Sequence, residues 1–151
     1  QEGDLSVVRA WRNQLRVRSQ LFDSSEISEP THQEWWIQYQ RSTTDTVFVI
    51  ETLDGCPVGT ISVYNVDLVN RIAEVGRMMI GPDDALGRRY MSEALDLAIQ
   101  DAVIRYGPLA FYLWVKSSNV RAIRLYRRHG FVESKRGADR IQMSQGAERK
   151  Q

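Results

Sequence analysis

The chain has one cysteine, Cys56. That excludes an internal disulfide framework and any thiolate-built zinc cluster, and it fits a reducing compartment. Cys56 follows Asp54-Gly55, a turn signal, which is a structural setting and not that of a nucleophile. Charge of one sign is missing too. The 20 basic side chains stand against 19 acidic ones, so no global field draws the chain to nucleic acid or to an anionic membrane, and any anion binding must be local. No run approaches the roughly 18 apolar residues of a membrane span, and the N-terminus lacks a charged-then-apolar leader pattern. These absences predict a soluble, cytoplasmic protein with neither nucleic-acid nor membrane partners. Repeats, low-complexity tracts and linkers are absent as well. The 151 residues, 42% of them hydrophobic, therefore read as a single domain, 1–151, large enough for a core. The chain opens at Gln1 without an initiator Met, which suggests a trimmed or incomplete start.

What is there begins with hydrophobic periodicity. Asp4 to Leu21 predicts a first helix with Leu5, Val8, Leu15 and Leu21 apolar among Arg9, Arg12, Arg16 and Arg18. Pro30 and Thr31-x-x-Glu34, a capping box, announce a second helix that carries Trp35, Trp36, Ile37 and Tyr39 and ends near Arg41. Thr46 to Leu53 and Val58 to Val66, separated by Asp54-Gly55, predict an antiparallel hairpin. Arg71 to Ile80 is a third strand stopped by Gly81-Pro82. Gly87 to Tyr106 is a long helix whose inward face holds Met91, Leu95, Ala98, Ala102 and either Val103 or Ile104. A strand at Leu109 to Val115, a helix from Asn119, and a short pair at Phe131 to Lys135 and Arg140 to Met143 complete the chain. This order predicts a mixed α/β sheet with a parallel pair connected by the long helix.

The most informative stretch is the helix from Asn119. Asn119, Ala122 and Tyr126 fall at i, i+3 and i+7 on one stripe. A strand feeds this helix, and Gly130 closes it where a left-handed cap residue is expected before Phe131. A phenol, with an ordinary pKa of about 10, is a proton donor across the physiological range. A helical tyrosine also packs well against a sheet, and on the phenol alone packing is the commoner role.

The pattern N-x-x-A-x-x-L-Y-x-x-x-G-F resembles the last conserved block of the GNAT superfamily of acyl-CoA-dependent N-acyltransferases. The resemblance implies an α+β fold, a mostly antiparallel mixed sheet with a central splayed parallel pair flanked by helices, and acetyl-CoA as co-substrate in the splay, without a metal. It implies that Tyr126 protonates the departing CoA thiolate and that Asn119, with Ala122 beside it on the cofactor side, hydrogen-bonds the pantetheine arm or orders a nearby water. Members similar to this chain open with a strand just before the first helix, for which Gln1 to Gly3 leaves no room, so the first strand is expected to be missing or truncated.

The family's pyrophosphate loop, Q/R-x-x-G-x-G/A, uses bare backbone N–H groups at a helix start. The matching segment is Leu86-Gly87-Arg88-Arg89-Tyr90-Met91, in which Gly87 alone keeps the glycine set while Arg89 and Met91 stand at small-residue positions. If residues 87 to 91 keep helical geometry their N–H groups still point outward, and Arg88 and Arg89 add charge that a pyrophosphate favours. Ala73-Glu74-Val75-Gly76 resembles the pattern ahead of that loop, which assigns Met78, Met79 and Ile80 to main-chain pairing with the pantetheine amides. Acetyl transfer needs an unprotonated amine, and Glu74 is the best-placed carboxylate for a base, against its plain alternative as a salt-bridged strand residue.

On the acceptor side, Trp11-Arg12-Asn13 with Val17-Arg18, and Ile27-Ser28 with His32 and Trp35, resemble the subgroup that acetylates amino-sugar nucleotides, whose wider relatives modify ribosomal-protein N-termini. Arg12, Asn13, His32 and Trp35 are thus the expected substrate contacts. The acceptor is a small-molecule amine, an amino-sugar nucleotide first, with a peptide N-terminus, a polyamine or an aminoglycoside as alternatives, and homodimerisation is left open. Two further readings compete: a non-catalytic acyl-CoA-binding regulatory module, motivated by Arg89 and Met91, and more distantly a nucleic-acid module on Arg121, Arg124, Arg127 and Arg128.

Overall fold

The computed structural model describes residues 1–146. Two short helices, α1 (Leu5–Asn13) and α2 (Leu15–Arg18), and α3 (Glu29–Gln40) precede the hairpin β1 (Thr46–Glu51) and β2 (Pro57–Asp67). Strand β3 (Ile72–Ile80), helix α4 (Tyr90–Tyr106), strand β4 (Ala110–Lys116), helix α5 (Val120–Arg128) and the pair β5 (Val132–Arg136) and β6 (Arg140–Gln145) follow. The sheet runs β1-β2-β3-β4-β6-β5. All neighbours are antiparallel except β3 and β4, whose crossover is α4.

The predicted first helix is in fact two. Gln14 has ψ 133°, which ends the helical ladder, and the chain turns because the Asn13 amide is drawn aside. Asn13 Oδ1 accepts from the Ile27 N–H at 2.8 Å and Nδ2 donates to the Ile27 carbonyl at 2.9 Å. Trp11 and Val17 become the buried residues, and Leu15, expected to be apolar and inward, is 71% exposed. Nor is Thr31-x-x-Glu34 the cap of the second helix. Ser28 is, its Oγ accepting from the Thr31 N–H at 3.3 Å, with Pro30 in the first turn where a missing N–H costs nothing.

The long helix starts at Tyr90 and not at Gly87, because Gly87 (φ +77°) and Arg89 (φ +65°) both lie in the left-handed region. Its inward face is Ala94, Leu95, Ala98 and Ala102, and Val103 packs on the core while Ile104 is exposed. Gly130, at φ +83°, closes α5 as expected. The Phe131 N–H bonds back to the Tyr126 carbonyl at 3.0 Å.

One irregularity shapes the cleft. β3 and β4 pair only over Ile72–Glu74 against Ala110–Tyr112. Beyond this, β3 carries a bulge in which Arg77 and Met78 oppose the single residue Ile61, and Arg77 adopts φ +51°. Thr60 Oγ1 fixes the bulge by donating to the Arg77 carbonyl at 3.1 Å. The bulge bends β3 away while β4 continues straight along β6, so the two central strands part just past Glu74. Beneath the splay, Ile61, Leu95, Leu109, Leu113, Phe131 and Met143 are almost completely buried, each contributing roughly 1.5–3 kcal/mol of apolar burial.

Candidate active site

A cleft of about 1270 Å³ opens where β3 and β4 separate. Glu74 lies at its apex, opposite Tyr112 in the register of the parallel pair. Its carboxylate accepts from the Tyr64 hydroxyl and from Asn65 Nδ2, both at 2.9 Å. Burial, then the charge of Glu74 and its hydrogen bond, push the Tyr64 pKa up, and burial ahead of Glu74 does the same for Tyr112. These phenols therefore stay protonated, and Tyr64 donates to Glu74.

Tyr126 enters the cleft from α5. Its ring is buried and meets the edge of Phe131 at 6.2 Å, and its hydroxyl donates to Met78 Sδ at 3.5 Å. Burial pushes its pKa up to about 12. Asn119 caps the same helix, its Oδ1 accepting from the Ala122 N–H at 3.2 Å, which leaves the Nδ2 group for a ligand. Asn119, Ala122 and Tyr126 all line the cleft, as do Met78, Met79, Ile80, Gly87, Arg89, Tyr90 and Met91. Arg88 does not belong to this lining; it is exposed on the outer side of the turn.

The start of α4 departs from the expected helical geometry yet keeps its function available. The first intrahelical bond is from the Glu93 N–H to the Arg89 carbonyl, so the N–H groups of Tyr90, Met91 and Ser92 are free. The left-handed turns at Gly87 and Arg89 bend the preceding backbone into the helix start, and the space around Gly87 is open. Along the splay, the edge of β3 past Glu74 has no strand partner from β4. A donor nest for phosphates at one end and a free strand edge leading to a buried phenol at the other fit a long, phosphorylated acyl carrier.

The acceptor side differs more from expectation. Asn13 lies outside the cleft and holds Ile27. Arg12 borders the cleft but donates to the carbonyls of Asp23 (2.7 Å) and Ser25 (3.2 Å). Arg18 donates to the Ser24 carbonyl and pairs with Glu26, and Arg16 donates to the carbonyls of Ile80 and Gly81 and pairs with Asp83. The basic helices thus tie down a loop and the end of β3, and few of their cations are left to meet a diphosphate. His32 and Trp35 do face the cleft, stacked at 5.4 Å, with Tyr39 against the other side of Trp35. Burial and the nearby Arg9 lower the His32 pKa.

Sequence reasoning passed over Tyr64, Asn65 and Arg77. The first two were legible only through the β2–β3 register, which sets Tyr64 opposite Glu74. Arg77 lies 4.2 Å over the Tyr64 ring and 5.9 Å from Trp35, and its guanidinium makes two 2.8 Å bonds to Asp45. Another group also went unread: Ser92, His129 and Asp96, joined by hydrogen bonds across α4 and the end of α5. Among the described residues no cluster of His, Cys, Asp or Glu is arranged to hold a metal ion, and no helix is long and apolar enough to cross a membrane.

The sequence profile of the acetyltransferase (GNAT) family matches residues 9–131. The chain belongs to the GNAT family. It is accordingly an acetyl-CoA-dependent N-acetyltransferase. The spermidine N(1)-acetyltransferase of Vibrio cholerae is 23% identical over 133 residues, covering 88% of this chain and 76% of that protein. Among solved structures, the Vibrio cholerae spermidine N-acetyltransferase in complex with CoA and spermine superposes with a TM-score of 0.81 at 22% identity, over 97% of this chain and 92% of that one. A domain from Methanocaldococcus jannaschii superposes with a TM-score of 0.83 at 18% identity, over 97% and 94%. The Vibrio cholerae relatives correct the expected subgroup: they are spermidine N-acetyltransferases and not amino-sugar-nucleotide or ribosomal-protein enzymes.

Proposed function

We propose that this GNAT domain acetylates a primary amine of a polyamine-type acceptor by direct attack within a ternary complex. The observation that carries this reading is the state of the acceptor wall. The arginines that would recognise a sugar nucleotide are occupied by main-chain carbonyls and carboxylates of the domain itself, whereas the Glu74 carboxylate and the aromatic side chains of His32 and Trp35 line the cleft. Carboxylate plus aromatic surface is the chemistry that holds an alkylammonium. The similarity to spermidine acetyltransferases supports the same class.

The roles follow from the groups. Met78, Met79 and Ile80 offer the β3 edge, Gly87 to Ser92 offer the phosphate nest, and Asn119 offers its Nδ2, which together would hold acetyl-CoA. When bound, the thioester supplies an activated acetyl carbonyl. Glu74, fixed by Tyr64 and Asn65, takes a proton from the incoming ammonium directly or through one water. Tyr126 keeps its proton because its pKa is pushed up to about 12, and it donates that proton to the leaving sulfur. The Tyr126 hydroxyl donates to Met78 Sδ on the β3 side, an orientation into the splay that supports this role.

The test is an amine panel with thiol release as readout: spermidine, spermine, an aminoglycoside, an amino-sugar nucleotide and a peptide N-terminus. Spermidine or spermine should give the highest kcat/KM. Turnover of the sugar nucleotide or the peptide without turnover of either polyamine would overturn the acceptor class.

A further inference from the structure

Ser92 is the third residue of α4, one of the positions with a free backbone N–H. Its Oγ lies 2.8 Å from His129 Nε2, and His129 Nδ1 lies 2.7 Å from Asp96 Oδ1. The His129 side chain is 11% exposed and all three residues line the cleft. The chemistry proposed above uses none of these side chains.

The hydrogen-bond inventory constrains what this chain of groups can do. An ionised carboxylate only accepts, so Nδ1 carries hydrogen whichever state the ring is in. In the neutral ring Nε2 is then an acceptor, Ser92 must donate inward, and the hydroxyl presents lone pairs to the cleft. In the protonated ring Nε2 donates to Ser92, and the hydroxyl hydrogen is free to turn outward beside the N–H groups of Tyr90 and Met91. Protonation thus converts Ser92 from an acceptor, which repels phosphate oxygens, into a donor that completes the nest.

We propose that His129, oriented by Asp96, is a positioning residue for Ser92 that couples proton uptake to the binding of the CoA phosphates at the start of α4. This rests on the reading that the cofactor's pyrophosphate occupies that helix start. Arg89 at the start of α4 and Arg121 and Arg128 on α5 line the same cleft and bring positive charge to it. Asp96 on α4 is the carboxylate that contacts the ring, and from β6 the neutral Gln145 amide donates to the His129 carbonyl at 2.8 Å. An arriving pyrophosphate can accept from Ser92 only when Nε2 donates to the hydroxyl, so ligand and proton bind together. Serine, imidazole and carboxylate in this order also form the arrangement of a nucleophile with its base, but a helix start with free N–H groups favours an anion over a neutral ester.

The experiment is calorimetric titration of CoA in paired buffers of different ionisation enthalpy, from about pH 6 to about pH 8.5, for the wild type, His129→Gln and Ser92→Ala. CoA's own phosphomonoester titrates in this range, so the readout is the difference between the proteins. The wild type should take up more protons on binding than either variant, and its Kd should tighten by about tenfold more toward low pH, the scale of one charge-assisted hydrogen bond. Two variants with independent side chains guard against a folding defect in one. Equal proton uptake in all three proteins would overturn the proposal while leaving the cofactor site standing. Failure of the wild type to bind CoA at any pH would instead remove the cofactor reading on which it rests. Labelling of Ser92 by a fluorophosphonate that depends on His129 would overturn the positioning role in favour of a nucleophile.

Discussion

The Tyr126 hydroxyl reaches across the cleft to Met78 Sδ, 3.5 Å away, linking the last helix before the C-terminal hairpin to the bulged segment of β3. The two residues are far apart in sequence, and the splay between β3 and β4 sets the space between their elements. Replacing Tyr126 by Phe keeps the ring packed on Phe131 and removes only the hydroxyl. The variant should bind CoA as the wild type does and lose about 10²-fold or more in kcat, the usual weight of a positioned acid. Unchanged turnover in steady-state assays would remove Tyr126 from the mechanism.

Glu74 gives a second, separable effect. Glu74→Gln retains the shape but cannot take a proton, so kcat/KM for the amine should fall by roughly 10- to 100-fold near neutral pH. The loss should shrink as pH rises and more of the amine is already unprotonated. Tyr64→Phe, which frees one carboxylate oxygen of its 2.9 Å donor, should give a smaller loss of the same kind. A pH-independent deficit in Glu74→Gln would mark a binding role and not a base.

Alkaline stability follows from Tyr126 as well. Its folded pKa of about 12 lies above the unfolded value of about 10. Below pH 10 both states hold the proton and the group is neutral to stability. Between about pH 10 and about pH 12 the unfolded chain releases it and the folded one does not, so stability falls as pH rises, by roughly 2 kcal/mol. Urea unfolding across this window should show the decline, and Tyr126→Phe should flatten it. Tyr64, shifted in the same direction, adds to what remains.

Gly76 is a site where volume matters. A Cβ there would come within 2.6 Å of the Tyr64 hydroxyl and 3.1 Å of its ring. Gly76→Ala should displace Tyr64 from Glu74, lower Tm in line with a loss of about 1–3 kcal/mol, and reproduce the kinetic defect of Tyr64→Phe. A Gly76→Ala protein with wild-type kcat/KM would show that the Tyr64 hydrogen bond is dispensable.

Asn13 tests the correction on the acceptor side. Both of its amide bonds go to the Ile27 backbone. Asn13→Ala should cost about 1–3 kcal/mol of stability through the unsatisfied groups it leaves, seen as a lower denaturation midpoint, while KM for the amine at a temperature where the variant is folded stays unchanged. A selective rise in KM would return Asn13 to the substrate site.

How much of this was legible in the chain depends on the range of the interaction. Asn119, Ala122, Tyr126 and Gly130 could be placed from spacing alone, since helix periodicity and capping are local, and the cap at Gly130 formed as read. The mixed sheet and the parallel pair joined by α4 followed from the alternation of elements. The break at Gln14, the Ser28 cap and the left-handed turn at Arg89 were not visible, because each is decided by a partner or a backbone state that local propensity underdetermines.

By itself, then, the sequence determined the elements, the family and the phenol at the end of the cleft, all carried by short-range periodicity and a specific motif. Tertiary structure alone decided which charges remain available. It engaged Arg12, Arg16 and Arg18 with main-chain carbonyls, took Asn13 away from the cleft, and left Glu74 held by Tyr64 and Asn65. It also joined Ser92 and Asp96 to His129, a residue more than 30 positions away along the chain. The physical reason is that a side chain's chemistry is set by the partners that compete for it, and those partners come from wherever the β3 bulge and the α4 crossover bring the chain together.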